Sequence, residues 1–310
     1  MLSDMSRLKI FSGTSNKKIS EKISTILGLR LANVNIKKFS DGEISVSLEE
    51  TVIGYDCFVV QSLCKPVNDN LVELLIIIDA LKRASAGRIN VVIPYFGYAR
   101  QDKRSSLGEP ITARLIADLI DVSNVIVMDL HSLQIEGFFN VPVHHISGLP
   151  IFGESIKNIN NFNNDEFIVV APDVGAVKKS RELASIINCK IAIVDKHRKK
   201  ANCSEVMNII GDVDFKNIII IDDIIDTGGT VCNASKFLVE FKNVKSVLMY
   251  ATHAVCSGQA ISNLASEYIN QVTFLDTIPI KLDTTNKKFK ILSAADIFAD
   301  KIKKIHLSKV

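Results

Sequence analysis

The residues best suited to chemistry lie in one stretch, 218–230, which reads IIIIDDIIDTGGT. Two glycines ahead of an apolar helical pattern let the backbone approach a ligand closely, and the unpaired N–H groups at a helix start attract anions. Asp222 and Asp223 would repel a phosphate group, so they suit sugar hydroxyls or a metal ion. The stretch therefore predicts a sugar-phosphate site. A tight strand-to-helix turn with solvated carboxylates is the alternative.

Two more polar segments follow predicted strands in the first half of the chain. Residues 94–104, PYFGYARQDKR, combine aromatic and basic side chains. Arg100 can form a bidentate pair with a phosphate and Gln101 can hydrogen-bond a base edge, although a solvated basic loop has the same composition. His131 ends the sequence DLH, where it suits a metal ligand, an acid–base group or a structural histidine.

Two polar segments of the second half also follow predicted strands. Asp173, in the sequence PDVG, is expected at the edge of the sheet where open α/β proteins bind ligands. Residues 195–200, DKHRKK, place four permanent cations within five residues, and such close charges repel one another. This loop is either solvated or closes over a polyanion, as phosphoryl-transfer enzymes require.

Strands and helices alternate along the whole chain. Buried apolar strands joined by helices, such as the long helix that Asn68 is expected to cap, predict parallel sheets covered on both faces. The sequence therefore belongs to the α/β class, and the turn-rich segment 143–150 is the expected boundary between two domains. The expected strands are Leu8–Phe11, Val34–Phe39, Phe58–Gln61, Ile89–Ile93, Val125–Met128, Phe167–Ala171, Ile191–Val194, Ile218–Ile221 and Val247–Tyr250.

The composition excludes several classes of protein. Among 310 residues, 37 basic and 34 acidic side chains leave a net charge of +3, which is too balanced for a nucleic-acid-binding surface. The six cysteines form no CxxC pair, which favours buried thiols in a reducing compartment. No apolar run is long enough for a signal peptide or a membrane span, so we expect a cytoplasmic protein without membrane contact.

The order of seven segments resembles the ribose-phosphate diphosphokinase family, also called phosphoribosyl diphosphate (PRPP) synthetases. The resemblance runs from about Lys9 to the final helix. DDxxDTGGT alone is shared with phosphoribosyltransferases, whereas the complete set is specific to this family. The segments are FSDGE at 39–43, PVNDNLVELL, RASAGRINVVIPYFGYARQD ending at 102, DLHSLQIEGFF from 129, PDVG from 172, DKHRKKAN from 195 and DDIIDTGGT from 222.

The resemblance implies that ATP and ribose 5-phosphate give AMP and PRPP, for nucleotide biosynthesis, with Mg²⁺ as cofactor. The β,γ-diphosphoryl group of ATP would move to the anomeric oxygen of the sugar. The implied ATP-binding residues are Phe39, Asp41, Gly42, Glu43, Arg100, Gln101 and Asp102. The implied ribose 5-phosphate residues are Asp222, Asp223, Asp226, Thr227, Gly228, Gly229 and Thr230. The implied catalytic cations are Lys196 and Arg198, and the metal-associated positions are His131 and Asp173, although Mg²⁺ prefers oxygen ligands to histidine.

The family also implies two phosphoribosyltransferase-like domains, each a mainly parallel sheet flanked by helices. The expected N-terminal domain, 1–148, holds the ATP-binding segments and the oligomer contacts. The expected C-terminal domain, 149–293, holds the ribose 5-phosphate loop and the family's flexible catalytic loop, and the helix 294–310 is expected to pack back on the N-terminal domain. In the family the FSDGE residues reach the site of a neighbouring subunit, which implies a homo-oligomer, expected to be a hexamer.

Two other functions stay open on the sequence alone. A non-catalytic regulatory member of the family would be expected to lack residues such as Lys196 or His131, which this chain retains. A nucleobase phosphoribosyltransferase would not be expected to carry the FSDGE and ARQD segments. The chain departs from the usual family pattern at Gly175-Ala176, at residues 197–200 and at Ser132, so the family's regulation by ADP and phosphate is not carried over.

Overall fold

The computed structural model describes residues 5–197, 206–280 and 287–308. The chain divides into two compact units. The first unit comprises Met1–Ser147, Asp276–Pro279 and Ser293–Val310, and the second comprises Gly148–Leu275 and Ile280–Leu292. A mainly parallel sheet with flanking helices forms each unit. The predicted α/β class is therefore confirmed.

The described elements alternate as the sequence predicts for this class. The strands are β1 (Leu8–Ser12), β2 (Val34–Lys38), β3 (Ile44–Leu48), β4 (Asp56–Val60), β5 (Arg88–Ile93), β6 (Asn124–Met128), β7 (Val143–Ile146), β8 (Phe167–Ala171), β9 (Lys190–His197), β10 (Val206–Ile210), β11 (Asn217–Ile225), β12 (Ser246–Ala254), β13 (Gln271–Leu275) and β14 (Phe289–Leu292). The helices are α1 (Lys17–Ile26), α2 (Val67–Arg83), α3 (Thr112–Leu119), α4 (Leu149–Lys157), α5 (Val177–Ile187), α6 (Gly229–Phe241), α7 (Ala260–Leu264) and α8 (Ala295–Leu307), with a 3-10 helix at Leu133–Phe138.

The first unit is built on a parallel sheet with the strand order β1-β4-β5-β6-β7. Helix α2 shows how the sequence covers this sheet. Its residues Leu71, Leu74, Ile78 and Leu81 recur every three or four positions and are at least nine-tenths buried. Burial of each such side chain contributes about 1.5–3 kcal/mol, so this stripe is a main reason that α2 packs on the sheet.

The strands β2 and β3 form a separate antiparallel hairpin in the same unit. Val34, Ile36, Val46 and Leu48 on this hairpin pack against the hydrophobic core. The alternation of these apolar residues with polar ones anchors one face of the hairpin and leaves its tip, residues 39–43, exposed.

An ion cluster joins β1 to the segment that follows β3. The carboxylate of Glu50 accepts hydrogen bonds from Lys9, from Arg30 Nη1 at 2.9 Å and from the Asn33 N–H at 2.6 Å. Burial opposes ionisation of Glu50, but the bonds from Lys9, Asn33 and Arg30 outweigh it and lower its pKa to about 2. Ionised Glu50 therefore stabilises the first unit at neutral pH.

A buried polar contact attaches the C-terminal helix within the first unit. Nδ1 of His306, on α8, lies 2.8 Å from Asp56 Oδ2, and both side chains are more than nine-tenths buried. Asp56 also accepts hydrogen bonds from Arg88 and from Asn90 Nδ2, the latter at 2.7 Å. The carboxylate thus ties α8 to the start of β4 and β5.

The second unit is built on a sheet with the strand order β10-β9-β8-β11-β12-β13-β14. Neighbouring strands are parallel except β9 and β10, which are antiparallel. The middle strand, β11, begins at Asn217 and continues with four isoleucines, 218–221, that are fully buried. Helices on both faces are the physical reason that such a continuous apolar run is stable here.

Some local predictions from the sequence are wrong. Strand β3 is not among the predicted strands. This strand has only five residues, so its alternation of apolar and polar side chains is too short to stand out. The segment 143–150 contains β7 and the start of α4 rather than a simple turn region. Helix α2 begins at Val67 after Pro66, and Asn68 does not cap it; its side chain accepts a hydrogen bond from the Tyr98 hydroxyl instead.

The described residues contain no helix that is both long enough and apolar enough to span a bilayer. The cysteines within these residues are free thiols. Burial raises the pKa of Cys57 to about 12 and that of Cys64 to about 11, so neither thiol ionises at neutral pH.

Candidate active site

Strand β11 carries the acidic pair of the 218–230 stretch. Its pairing with β12 continues from Asp222 through Ile225, whereas its pairing with β8 ends at Ile220. The predicted strand, Ile218–Ile221, is therefore too short, because main-chain hydrogen bonds to β12 keep the chain extended through Asp222 to Ile225. The carboxylates lie on a strand end that projects beyond β8.

The carboxyl groups of Asp222 and Asp223 interact strongly. The Asp223 N–H donates to Asp222 Oδ1 at 2.9 Å. Burial, and then the Asp223 carboxyl, raise the pKa of Asp222 well above its ordinary value, while the positive charge of Lys179 on α5 opposes that rise. A half-buried acidic pair of this kind is stabilised by a ligand that donates hydrogen bonds or by a nearby cation. Ribose hydroxyls supply such donors.

The loop from Asp226 to Thr230 connects β11 to α6. Gly228 has a φ of +72°, in the left-handed region that glycine adopts without strain. A Cβ atom on Gly229 would have Thr227 Oγ1, at 3.9 Å, as its nearest neighbour, so the space beside this residue is open. Because the first N–H groups of α6 have no acceptor within the helix, the loop can cradle a phosphate.

Asp173 lies in the turn between β8 and α5. Its Oδ1 atom accepts a hydrogen bond from the Ala176 N–H at 3.1 Å, which fixes the carboxylate at the start of the helix. Because β8 and β11 are adjacent and parallel, Asp173 and the acidic pair lie at the same edge of the sheet. A cavity of about 590 Å³ borders this turn and is lined by residues of α5, β9 and β10.

The predicted catalytic cations, Lys196 and Arg198, come near the end of β9 in the sequence. Lys196 lies on this strand, where it pairs with Met207 of β10 in an antiparallel register. A loop was expected from Asp195, and this is wrong for residues 195–197, which continue the strand. Arg198 lies outside the described residues. The catalytic roles of both cations stay predictions.

The predicted adenine-binding residues form the tip of the β2–β3 hairpin. The Phe39 N–H donates to the Glu43 carbonyl at 2.8 Å, and the Gly42 N–H donates to the Phe39 carbonyl at 2.9 Å. Asp41 Oδ1 accepts from the Glu43 N–H at 3.1 Å, which closes the turn with Gly42 at a φ of +95°. Phe39 is 59% exposed. An exposed aromatic ring on a rigid turn can stack on a flat ligand.

Residues 100–102 follow the β5 strand, and their side chains differ in exposure. Arg100 is exposed, as is Gln101, whose Oε1 atom accepts a hydrogen bond from Thr112 Oγ1 at 2.6 Å. Asp102 is 8% exposed, and its Oδ2 atom accepts a hydrogen bond from Gln134 Nε2 at 2.8 Å. Gln134 lies on the 3-10 helix, so Asp102 ties the ARQD segment to the segment after β6.

His131 lies in the turn after β6 and is exposed. Asp129, the first residue after β6, has a φ of +38°, which lies in the left-handed region. The turn is held by His145 on β7, whose Nε2 atom accepts the Leu130 N–H at 3.1 Å while its Nδ1 atom lies 2.8 Å from Glu136 Oε1. Since Nε2 is an acceptor, Nδ1 carries the proton and donates to Glu136.

The His, Cys, Asp and Glu side chains of the described residues are the candidate ligands for a metal ion. The described residues contain no group of three or more His, Cys, Asp or Glu side chains arranged to hold one. Mg²⁺ commonly takes only one or two protein carboxylates and completes its shell with water and substrate phosphates. The carboxylates of Asp173 and of the acidic pair fit that need, because they are oxygen donors at a ligand-binding sheet edge.

The structure gathers the predicted residues into separate groups. Asp173 and residues 222–230 share one sheet edge in the second unit, and the ARQD segment contacts the segment after His131 in the first. Residues 39–43 lie at the tip of the separate hairpin. The sequence prediction missed Lys179 and His145 because each acts through a partner distant in the chain, and no local pattern signals such a contact.

Known proteins resemble the chain over nearly its full length. Residues 8–123 match the N-terminal domain of ribose phosphate pyrophosphokinase, and residues 151–275 match the phosphoribosyl transferase domain. A ribose-phosphate pyrophosphokinase of Clostridium acetobutylicum is 47% identical over 309 residues, which cover 99% of this chain and 96% of the relative. The corresponding protein of Fusobacterium nucleatum is 48% identical, over 97% and 96% of the two chains. The crystal structure of phosphoribosylpyrophosphate synthetase from Mycobacterium smegmatis has a TM-score of 0.89 and 36% identity, over 96% of this chain and 98% of the other.

Proposed function

The chain belongs to the ribose-phosphate pyrophosphokinase family, and we propose that the sites described above carry out the family's reaction. The activity is that of a ribose-phosphate diphosphokinase, an ATP-dependent diphosphotransferase of nucleotide biosynthesis. The anomeric oxygen of ribose 5-phosphate attacks the β-phosphorus of ATP. The bond from that phosphorus to the α,β-bridging oxygen breaks, AMP leaves, the anomeric proton passes to solvent, and PRPP forms.

The β11–α6 segment is the observation that carries the assignment of the sugar site. Asp222 and Asp223 accept hydrogen bonds from ribose hydroxyls, which offset the desolvation and mutual repulsion of the pair. The loop 226–230 and the start of α6 bind the 5-phosphate through backbone N–H groups. Fixing the sugar at both ends orients its anomeric oxygen for in-line attack, which lowers the entropy cost of the reaction.

Positive charge near the transferred group is the second requirement. Charge spreads over the phosphoryl oxygens in the transition state, and Lys196 with Arg198 stabilises it electrostatically. Mg²⁺, when bound, would neutralise part of the polyphosphate charge, and we assign Asp173 and His131 to its surroundings. Asp173 is the better direct ligand because Mg²⁺ prefers oxygen, so His131 is assigned to a metal-bound water.

The ATP-binding role is assigned to the first unit. Phe39, with Asp41 and Glu43, contacts the adenine, while Arg100 and Gln101 contact the nucleotide through their exposed side chains. Asp102 is buried and accepts a hydrogen bond from Gln134. We therefore assign Asp102 to holding the ARQD segment in place rather than to direct contact with ATP.

The family's neighbouring-subunit site implies that this chain works as a homo-oligomer. The position of Phe39 at the exposed tip of the hairpin is compatible with this proposal, because its side chain is accessible to a neighbouring subunit. Mixing an Asp41→Ala protein with a Lys196→Ala protein after subunit exchange tests it. Restored activity in the mixture supports shared sites; additive, near-zero activity argues against them.

Two observations weigh against the alternative functions. The relatives that match over nearly the full chain are ribose-phosphate pyrophosphokinases, whereas the phosphoribosyl transferase match covers residues 151–275. A nucleobase phosphoribosyltransferase is therefore not favoured. A non-catalytic regulatory subunit is not favoured either, because Lys196 and His131 are both present.

A product assay tests the proposed function directly. Protein incubated with ATP, Mg²⁺ and ribose 5-phosphate should form AMP and PRPP in equal amounts, measured by anion-exchange chromatography. Lys196→Ala should lower kcat about a hundredfold or more, because a cation that stabilises the transition state is lost. Lys190→Ala, at the other end of the same strand, is the matched control and should keep the wild-type rate. Formation of ADP in place of AMP, or full activity of Lys196→Ala, would show that the mechanism is wrong.

A further inference from the structure

The segment that follows β12 continues the contacts of that strand with the sugar-phosphate loop. The Cys256 N–H donates to the Ile225 carbonyl at 2.9 Å, and the Ser257 N–H donates to the Asp226 carbonyl at 3.0 Å. The Ser257 hydroxyl also donates to Asp226 Oδ1. The loop is thus joined by backbone and side chain to residues about thirty positions later in the chain.

Helix α7 supports the next part of the loop. Asn263 Nδ2 donates to the Thr227 carbonyl at 2.8 Å. Gly228 lies against the same helix: a Cβ atom built on it would be 3.4 Å from Leu264 Cγ and 3.6 Å from the Ala260 carbonyl oxygen. Three successive loop residues, 226–228, therefore contact the segment 257–264.

These contacts matter for ligand binding because a phosphate cradle depends on fixed N–H directions. An unsupported loop with a left-handed glycine would sample many backbone conformations, and binding would have to offset the entropy of ordering it. The Ser257 hydroxyl fixes one oxygen of Asp226, and the Asn263 amide fixes the peptide group between Thr227 and Gly228. Both side chains act on the loop from the side of α7.

We propose that Ser257 and Asn263 are positioning residues that preorganise the sugar-phosphate loop for ribose 5-phosphate. This inference rests on the proposed function of that loop. Neither residue belongs to the segments that resemble the family's substrate-binding motifs. Their role is to hold Asp226 and Thr227, so their loss weakens the binding of the sugar phosphate and leaves the binding of ATP unchanged.

Steady-state kinetics with each substrate varied separately test the proposal. Ser257→Ala and Asn263→Ala should each raise KM for ribose 5-phosphate about fivefold to tenfold, which is the effect of losing one net hydrogen bond. KM for ATP should change less than about twofold. Ser257→Thr retains the hydroxyl and should restore KM for ribose 5-phosphate. Ser262→Ala is the matched control on α7, because the Ser262 hydroxyl donates to the Gln259 carbonyl and not to the loop.

Calorimetric titration of ribose 5-phosphate into each protein, without ATP, gives a second measurement that does not depend on turnover. If the wild-type protein neither binds ribose 5-phosphate nor forms PRPP, the proposed function fails. If the wild-type protein does both and the two alanine variants keep its affinity, the positioning role is overturned. An equal rise of both KM values would also overturn it, because a general loss of structure would explain that result. Circular dichroism confirms that each variant is folded.

Discussion

Replacing Gly229 by alanine should separate the stability of the fold from the binding of ribose 5-phosphate. The added methyl group would have Thr227 Oγ1, at 3.9 Å, as its nearest neighbour, and Gly229 does not have a left-handed φ. Gly229 is also the first residue of α6. Because alanine fits this backbone and has less conformational freedom when unfolded, we expect a gain of about 0.4–1 kcal/mol in the free energy of unfolding.

The same substitution, Gly229→Ala, should weaken the binding of ribose 5-phosphate. The methyl group would occupy the space through which a phosphate reaches the backbone N–H groups at the start of α6. A hydrogen bond to a charged group contributes about 1.5–3 kcal/mol, so loss of one such bond raises KM for ribose 5-phosphate roughly tenfold to a hundredfold. KM for ATP should remain close to the wild-type value.

Gly228→Ala provides the contrast. Gly228 has a φ of +72°, and its added methyl group would contact Leu264 Cγ at 3.4 Å. A non-glycine residue in the left-handed region costs about 1–2 kcal/mol, so this variant should unfold at a lower temperature than the wild-type protein.

Thermal unfolding of the ligand-free proteins, followed by circular dichroism, and kinetics with ribose 5-phosphate varied measure both effects. A Gly229→Ala protein with unchanged KM would refute close backbone approach at this position. A Gly229→Ala protein that is less stable than the wild type would contradict the open space beside the glycine.

Two further predictions concern pH. Lys179→Met removes a positive charge that lowers the pKa of Asp222, so the pKa of Asp222 should rise further. The acid limb of the kcat/KM profile should therefore move to higher pH. Lys178→Met, at the neighbouring exposed position, should leave the profile unchanged. Glu50 has a pKa of about 2 in the folded protein against an ordinary value of 4.5, so its ionised form stabilises the fold above pH 4.5 and this contribution disappears as the pH falls towards 2. Glu50→Gln should therefore lower the free energy of unfolding by about 1–2 kcal/mol at pH 7 and change it little near pH 2. Urea titrations at the two pH values measure this difference, and Glu49→Gln should not show it.

The sequence predicts the local character of the sugar site well. Four consecutive isoleucines require burial on both faces, which a central parallel strand provides, and β11 is that strand. The Gly-Gly pair predicts a turn into a helix, and α6 begins at Gly229. These features depend on side-chain hydrophobicity and backbone freedom over a few residues, so they can be inferred from the chain alone.

The limits of this inference lie where contacts join distant parts of the chain. The strand β11 continues beyond Asp222 because β12 supplies hydrogen bonds there, and no local signal shows that partner. The burial of Asp102 and its hydrogen bond with Gln134 also depend on a contact with a residue distant in the chain. The roles inferred for Ser257 and Asn263 likewise depend on contacts with residues about thirty positions away.

The sequence by itself determined the α/β class, the order of most strands and helices, and the residue types available at the sheet edge. Hydrophobic periodicity and glycine placement act locally, and the chain carries both in readable form. Tertiary structure alone decided how far each carboxylate is buried. It also decided that His145 accepts a hydrogen bond from Leu130 in the turn after β6, and that Ser257 and Asn263 contact the sugar-phosphate loop. Those properties depend on strand order and register, because burial and hydrogen-bond geometry exist only once distant segments have come together.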